Sequence, residues 1–138
     1  MDKESVTMRR EEALIVARGD LAYVVMNLYP YNAGHLLVCT FRHVAELPEL
    51  TVAEQNEITS LTSHAMKVLR SASRAVGFNI GINQGSVSGA GIAGHFHQHI
   101  VPRWSGDANF MPIIGKTKVL PQLLQESRGL LAASWDHI

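Results

Sequence analysis

The feature that most constrains this chain is the segment HFHQH at residues 95–99, where three of its seven histidines alternate with other residues. Isoleucine, valine and aromatic residues flank it, and these favour a β-strand. Because successive side chains of a strand point to opposite faces, His95, His97 and His99 are predicted to share one face, spaced by about 6.7 Å. One phosphate group spans a similar length. Pro102 has no N–H for a sheet ladder, so the strand is expected to end or reach an edge there.

This histidine row has three possible explanations: chance, a metal site and catalysis at phosphorus. Chance is a poor explanation, because protonated imidazoles on one face would repel one another. Imidazole is a common metal ligand, but three in line on one strand converge poorly on a tetrahedral ion. The chain also has no HExxH motif, no cysteine pair and no acidic residue within the row. We therefore assign no metal ligand and favour nucleophilic catalysis, in which one imidazole attacks phosphorus and its neighbours stabilise the developing charge.

Composition is typical of a single globular domain with a substantial core. The chain has 138 residues, of which 46% are hydrophobic and 17% charged, and its formal net charge is zero. Neutrality argues against long nucleic acid as a partner, and the polar N-terminus and short apolar runs argue against a signal peptide or membrane span. The single Cys39 cannot form an internal disulfide. We predict a cytoplasmic protein with a loose N-terminal segment, 1–12, and one domain, 13–138.

Hydrophobic patterning predicts the element order β-β-β-α-β-β-α, which is typical of an α+β domain. Short apolar runs predict strands at 13–17, 21–28, 35–41 and 78–84, the last ending at Gln84. Between them, residues 51–54 have the form of a capping box, and apolar residues then recur at helical spacing as far as Val76, with Gly77 as the expected C-cap.

The two predicted helices differ in how their remaining surface is expected to behave. Opposite the apolar stripe of the first, polar residues including Glu57 and His64 are expected to be solvated. The C-terminal helix, with Pro121 in its first turn, carries an apolar stripe as far as Trp135. So much apolar surface on a terminal helix predicts docking, for which a dimer interface is one candidate.

A glycine-rich segment, 85–94, precedes the histidines and contains a literal GxGxxG at 89–94. The dinucleotide-binding fingerprint requires a helix after the glycines, whereas here the histidine strand follows, so we reject that interpretation. Glycines such as Gly91 can still bring backbone N–H groups close to a phosphate, and Ser86 and Ser88 could add hydroxyl donors. A plain flexible hairpin loop is the alternative.

The run His95-Phe96-His97-Gln98-His99-Ile100-Val101 resembles the histidine triad (HIT) motif, His-φ-His-φ-His-φ-φ with φ apolar. It departs from that motif at Gln98, which is polar. Asn27, then Gly34-His35 opening an apolar run, then a helix and the segment 77–84 follow the order of the family, so the resemblance covers residues 13–115. Within the family, the segment PRWSGDANFM at 102–111 looks most like bacterial proteins related to diadenosine tetraphosphate phosphorylases and hydrolases.

This resemblance implies a HIT-like fold, an antiparallel sheet of five strands with a long central helix and a C-terminal helix, assembled as a homodimer. It also implies cleavage of dinucleoside polyphosphates. His97 would attack the α-phosphate and form a nucleotidyl-histidine intermediate, which water or inorganic phosphate then resolves. His95 and His99 would orient the ring and donate to phosphate oxygens, and His35 would support the cluster.

The resemblance also implies nucleotide contacts outside the triad. Asn27 would contact the ribose, although it could instead cap its own turn. Independently of the resemblance, the Trp104 ring is suited to stack on a base, or to pack on the domain or on a partner subunit. Many family members carry Ser or Thr where this chain has Gly91 and Ile92, so other hydroxyls or backbone amides would have to substitute. The predicted nucleotide- and phosphate-binding residues are Asn27, Gln84, Ser86, Ser88, Gly91 and Trp104.

Two alternative functions stay open at this point: hydrolysis of purine nucleoside phosphoramidates or aminoacyl nucleotides, and nucleotide-dependent regulation with little turnover. The expected partner is a nucleotide, such as a dinucleoside polyphosphate, AMP, ADP or ATP. Neither a membrane nor long nucleic acid is expected. No tightly bound cofactor is predicted, although Mg²⁺ on the substrate phosphates is compatible with the mechanism.

Overall fold

A computed structural model describes residues 13–88, 94–106 and 120–137, without the side chains of 86 and 120–123. The strands of the described chain form one antiparallel sheet in the order β1-β2-β3-β5-β4. They are β1 (Ile15–Arg18), β2 (Ala22–Met26), β3 (Leu36–Thr40), β4 (Gly77–Gly81) and β5 (His97–Arg103). The α-helices within the described residues are α1 (Val52–Ser73) and α2 (Leu120–Trp135). The predicted α+β architecture is confirmed.

The hydrophobic core lies between α1 and one face of the sheet, and His97 and His99 lie on the opposite face. Val24, Leu36 and Ile100 on the core face have no exposed surface, and neither do Val68 and Leu69 of α1. Burial of such side chains stabilises the fold by about 1.5–3 kcal/mol each. The core therefore fixes one face of β5 against the helix and leaves its other face for the histidines.

Helix α1 begins as the sequence predicts and ends earlier. The Glu54 N–H donates to Thr51 Oγ1 at 3.1 Å, and the Thr51 N–H donates to Glu54 Oε1 at 2.8 Å, which is the predicted capping box. The helix stops at Ser73, where Arg74 adopts a left-handed φ of 58°, so the prediction of Gly77 as the C-cap is wrong. The chain turns early because the Val76 N–H donates to Arg103 O, which brings it into the sheet.

Two side chains of α1 that were expected to be solvated instead hold other elements in place. The Glu57 carboxylate accepts hydrogen bonds from the backbone N–H groups of residues 20, 21 and 22, at 3.3, 2.6 and 2.6 Å, and so fastens the β1–β2 turn. His64 Nε2 lies 2.7 Å from Trp135 O, and the two rings are 4.5 Å apart. Helix α2 also buries Leu124 and Leu131, so its apolar stripe docks on the same chain.

Strand β5 lies between β3 and β4, but the two ladders have different lengths. Pairing with β3 ends at Leu36↔Ile100, whereas pairing with β4 continues to Gly77↔Arg103. Pro102 therefore lies beyond the β3 ladder, which agrees with the expectation that it would reach an edge. No helix within the described ranges is long and apolar enough to cross a membrane.

Candidate active site

The triad histidines do not form one continuous row. Strand β5 begins at His97, and its register pairs His97 with Cys39 and His99 with Leu37, so His97 and His99 share a face. Their rings are 5.1 Å apart. His95 precedes the strand, where the Phe96 N–H donates to Val44 O. The prediction that all three histidines lie on one strand is therefore wrong for His95.

A backbone carbonyl holds the ring of His97 in one orientation. His97 Nδ1 lies 3.0 Å from His95 O. Because a carbonyl oxygen only accepts hydrogen bonds, Nδ1 must carry the proton, and Nε2 of the neutral ring then holds a free lone pair. The ring is half-buried. The geometry thus orients the ring, and in its neutral form Nε2 is the nitrogen available for nucleophilic attack.

His99 and the buried His35 form a directional hydrogen-bonded pair. The Tyr31 N–H donates to His35 Nδ1 at 2.9 Å, and His35 Nε2 lies 2.9 Å from His99 Nδ1. Since an amide can only donate, a neutral His35 must carry its proton on Nε2 and donate it to His99 Nδ1. The proton of a neutral His99 is then on Nε2, where it can be donated to a ligand.

Burial keeps this pair uncharged. Desolvation, with a smaller contribution from the neighbouring His99, lowers the pKa of His35 from 6.5 to about 4. Desolvation also lowers the pKa of His99, with His97 as the secondary cause. At neutral pH His35 is therefore neutral, as the direction of its hydrogen bonds requires.

His95 belongs to a separate group at the edge of the site. Its Nε2 lies 2.7 Å from Thr40 O, and its Nδ1 lies 3.2 Å from Nδ1 of the exposed His43. Both ring nitrogens are thus engaged by protein atoms. The predicted donation from His95 to a phosphate oxygen would require its ring to turn. Sequence reasoning missed His43, which is far from the motif in the chain and has no local pattern around it.

Asn27 lies against the ring of His35. Its Nδ2 is 3.3 Å from both ring nitrogens, while its Oδ1 accepts the Tyr29 N–H at 3.0 Å. Equal distances to both nitrogens place the amide against the ring rather than in line with either. Asn27 therefore caps its own turn and also borders the histidine cluster, and its contact with a ribose stays a prediction.

Of the other predicted binding residues, Gln84 and Ser88 have described side chains, and these hydrogen-bond to backbone atoms outside the histidine cluster. Gln84 lies beyond the end of β4 at Gly81, and its Oε1 accepts the Leu47 N–H. Ser88 Oγ donates to Gly85 O at 2.7 Å in a short 3₁₀ turn. Gly91 and the side chain of Ser86 lie outside the described residues. For these four residues, nucleotide contact stays a prediction.

Trp104 and Gln98 alternate with the histidines and lie on the helix side of the sheet. The Trp104 indole N–H donates to Ser73 O at 2.9 Å at the end of α1, so its ring packs on the domain, away from His97 and His99. The Gln98 amide donates to Thr62 Oγ1 at 2.8 Å. A hydrogen-bond partner on α1 thus explains why a polar residue is accommodated where the motif has an apolar one.

Open space lies beside His99 on the histidine face. Gly81 of β4 pairs directly with His99, and a Cβ on Gly81 would have no heavy atom within 4 Å. Among the described residues, no three or more His, Cys, Asp or Glu side chains are grouped as a metal site. The arrangement as a whole supplies a candidate nucleophilic nitrogen on His97, an adjacent donor on His99 and open space beside that donor.

The family model of the HIT domain matches residues 9–106. The chain belongs to the HIT family. It is 54% identical over 125 residues to the AP-4-A phosphorylase of Mycobacterium tuberculosis, an alignment that covers 91% of this chain and 64% of that protein. It is 33% identical over 90 residues to the asymmetrical bis(5'-nucleosyl)-tetraphosphatase of Schizosaccharomyces pombe, covering 65% of this chain and 49% of that protein. The chain thus spans less than two thirds of the length of either relative.

Solved structures show the same fold. A hypothetical histidine triad nucleotide-binding protein from Sulfolobus tokodaii matches with a TM-score of 0.78 at 23% identity, over 96% of this chain and 90% of that one. A zinc-bound histidine triad family protein from Mycobacterium smegmatis matches with a TM-score of 0.73 at 23% identity, over 89% and 84%. At these identities the likeness concerns the fold alone.

Proposed function

We propose that this protein cleaves dinucleoside polyphosphates through a nucleotidyl group carried on His97. The observation that carries this proposal is the hydrogen bond from His97 Nδ1 to His95 O, which in the neutral ring puts the lone pair on Nε2, and the ring lies beside that of His99. A neutral imidazole held in one orientation is a competent nucleophile at phosphorus, because positioning replaces much of the entropy loss of a bimolecular reaction.

The reaction has two steps, written here for diadenosine tetraphosphate. His97 Nε2 attacks one α-phosphorus and forms a nitrogen–phosphorus bond, while the α–β phosphoanhydride bond breaks and ATP leaves with the electron pair. The acceptor oxygen then attacks the same phosphorus and the nitrogen–phosphorus bond breaks. Inorganic phosphate as the acceptor gives ADP, and water gives AMP.

His99 is suited to stabilise both steps. Its Nε2–H, directed by the His35 bond, would donate to a non-bridging oxygen of the attacked phosphate, where charge develops in the transition state. The open space beside Gly81 would admit the phosphate chain. Mg²⁺ bound to the remaining phosphates would neutralise part of the charge of the leaving group.

We propose inorganic phosphate as the acceptor. Support comes from the name of the Mycobacterium tuberculosis relative, AP-4-A phosphorylase, at 54% identity. The decisive experiment incubates the protein with diadenosine tetraphosphate, with and without inorganic phosphate, and separates the products by chromatography. ADP plus ATP that form only with phosphate would support phosphorolysis, and AMP plus ATP without phosphate would show hydrolysis.

A His97→Ala variant is the control for this experiment. The half-buried ring can be removed without opening the core, so the variant is expected to fold and to lose turnover by about 10⁴-fold or more. Near-normal turnover of His97→Ala would contradict the assignment of the nucleophile. Tight nucleotide binding with no product in either mixture would instead support a nucleotide-binding regulator.

Assembly and location are part of the same proposal. We propose a cytoplasmic homodimer made of one domain over residues 13–138; the expectation for residues 1–12 lies outside the described residues. Light scattering coupled to size-exclusion chromatography measures the mass directly, and a mass equal to one chain would contradict the dimer.

A further inference from the structure

We propose that Asn32 is a positioning residue for this reaction, because its buried amide holds the loop whose backbone sets the direction of hydrogen bonding through His35 to His99. The proposal rests on the function proposed above. Its starting point is that Asn32 is 2% exposed although its side chain is fully polar. A buried amide of this kind is retained only where its hydrogen bonds are satisfied.

Asn32 joins the loop before β3 to the far end of the catalytic strand. Its Nδ2 donates to Pro102 O at 3.0 Å. The next carbonyl, Arg103 O, accepts the Val76 N–H on the β4 side, so Pro102 O points to the β3 side. Pairing with β3 has already ended at Ile100. The Asn32 side chain therefore supplies the N–H donor that a residue of β3 would supply if the ladder continued.

The same loop carries the amide that determines which nitrogen of His35 is protonated. The His35 N–H donates to Asn32 O at 3.1 Å, which closes the loop, and the Tyr31 N–H donates to His35 Nδ1 at 2.9 Å. The Tyr31 bond places the His35 proton on Nε2, and the 2.9 Å contact to His99 then places the His99 proton on its own Nε2. One backbone amide thus fixes the tautomers of two imidazoles.

Release of the loop would allow the hydrogen bond between His35 and His99 to reverse its direction. If the Tyr31 N–H moved away, His35 could carry its proton on Nδ1 and accept a hydrogen bond at Nε2 from His99 Nδ1. His99 would then direct an unprotonated Nε2 at an anionic phosphate. The lone pair on this nitrogen would repel the phosphate instead of stabilising it. The bond from Asn32 to Pro102 therefore affects the donor that the transition state needs, without Asn32 touching the substrate.

The test compares Asn32→Leu, which keeps a similar volume but cannot donate, with Thr62→Val as a matched control. Thr62 is also buried and also bonds a residue of β5, Gln98, but it lies on the helix side of the sheet. We expect Asn32→Leu to lower kcat at least tenfold with KM within about twofold, and Thr62→Val to keep kcat within about twofold.

Nitrogen NMR of the histidine rings gives a readout that a purely structural role would not change. In the wild-type protein without substrate, His35 and His99 are both expected to carry the proton on Nε2, and in Asn32→Leu part of His99 is expected to carry it on Nδ1. A wild-type His99 protonated on Nδ1 would overturn the proposal. This test needs only the wild-type protein, so it can be made even if Asn32→Leu does not fold. An unchanged His99 tautomer in a folded Asn32→Leu, or a kcat equal to that of Thr62→Val, would also overturn it.

The failure of this proposal is distinguishable from failure of the proposed function. If the wild-type protein shows the expected tautomers but cleaves no dinucleoside polyphosphate, the proposed function is contradicted. Full turnover by Asn32→Leu with wild-type tautomers would contradict the role of Asn32 and leave the function standing.

Discussion

The molecule contains two groups of histidines that are similar in composition and different in physical character. In the inner group, buried His35 directs His99, which stands beside His97. In the outer group, exposed His43 contacts His95, whose other nitrogen is engaged by Thr40 O. The inner group ends in a free lone pair and a free donor, whereas both nitrogens of His95 are occupied by protein atoms. Neighbouring histidines of one motif therefore differ in what they can offer a ligand.

The largest expected difference between the two groups is kinetic. His35→Ala removes the donor that fixes His99, so we expect kcat to fall by about 100-fold. His43→Ala removes an exposed ring that contacts only the outer group among these histidines, so we expect a fall of less than about tenfold. Steady-state rates with diadenosine tetraphosphate measure both. Equal losses in the two variants would show that the inner and outer groups are not functionally distinct.

A second difference is expected in the pH dependence of stability. The pKa of His35 is about 4 in the folded protein and 6.5 when unfolded, so between these values the unfolded state binds more protons. The contribution of the neutral ring is complete above pH 6.5 and is lost as the pH falls to 4, by on the order of 3 kcal/mol. Urea denaturation at several pH values in this window measures the slope.

The variants His35→Ala and His43→Ala separate the contribution of His35 to the pH dependence of stability from the contributions of other groups. His35→Ala should reduce the slope between pH 6.5 and 4, leaving the part that the desolvated His99 contributes, and His43→Ala should keep the wild-type slope. Glu54 acts in a different window, because the hydrogen bond from Arg42, followed by that from the Thr51 backbone, lowers its pKa from 4.5 to about 2. Its contribution is present above pH 4.5 and is lost as the pH falls towards 2. A wild-type stability that is flat from pH 7 to 4.5 would contradict the buried neutral His35.

The smallest expected effect concerns the other face of β5. Trp104→Phe removes the indole N–H that donates to Ser73 O, which should lower the free energy of unfolding by about 1 kcal/mol. Because the ring packs on the helix side, KM for the dinucleotide should stay within about twofold. Thermal unfolding and steady-state kinetics measure the two quantities. A tenfold rise in KM without loss of stability would place Trp104 in the nucleotide site after all.

Local periodicity explains what the sequence could predict. The alternation of strand residues predicted that His97 and His99 share a face, and the helical spacing and capping box predicted where α1 begins. These signals depend on residues close together in the chain. The α+β fold and the order of its elements follow from the same signals.

The failures involve partners that are distant in the chain. Strand β5 begins at His97 because the preceding Phe96 N–H bonds Val44 O in the β3–α1 connection, which no local pattern shows. Glu57 lies opposite the apolar stripe of α1, and for that reason it is predicted to be solvated. The prediction fails because its partners, backbone N–H groups of the β1–β2 turn, are distant in the chain. The end of α1 was misplaced because Arg74, rather than a glycine, adopts the left-handed conformation.

Trapping the nucleotidyl-enzyme is the most direct test of whether His97 is the nucleophile. The protein is mixed briefly with diadenosine tetraphosphate labelled at the α-phosphates, without inorganic phosphate, quenched in alkali to preserve a nitrogen–phosphorus bond, digested and analysed by mass spectrometry. We expect one adenylyl group on His97, released as ADP when phosphate is added before quenching and absent from His97→Ala. An adenylyl group on another residue, or turnover of the labelled substrate with no adduct at any time point, would contradict the assignment of His97 as the nucleophile.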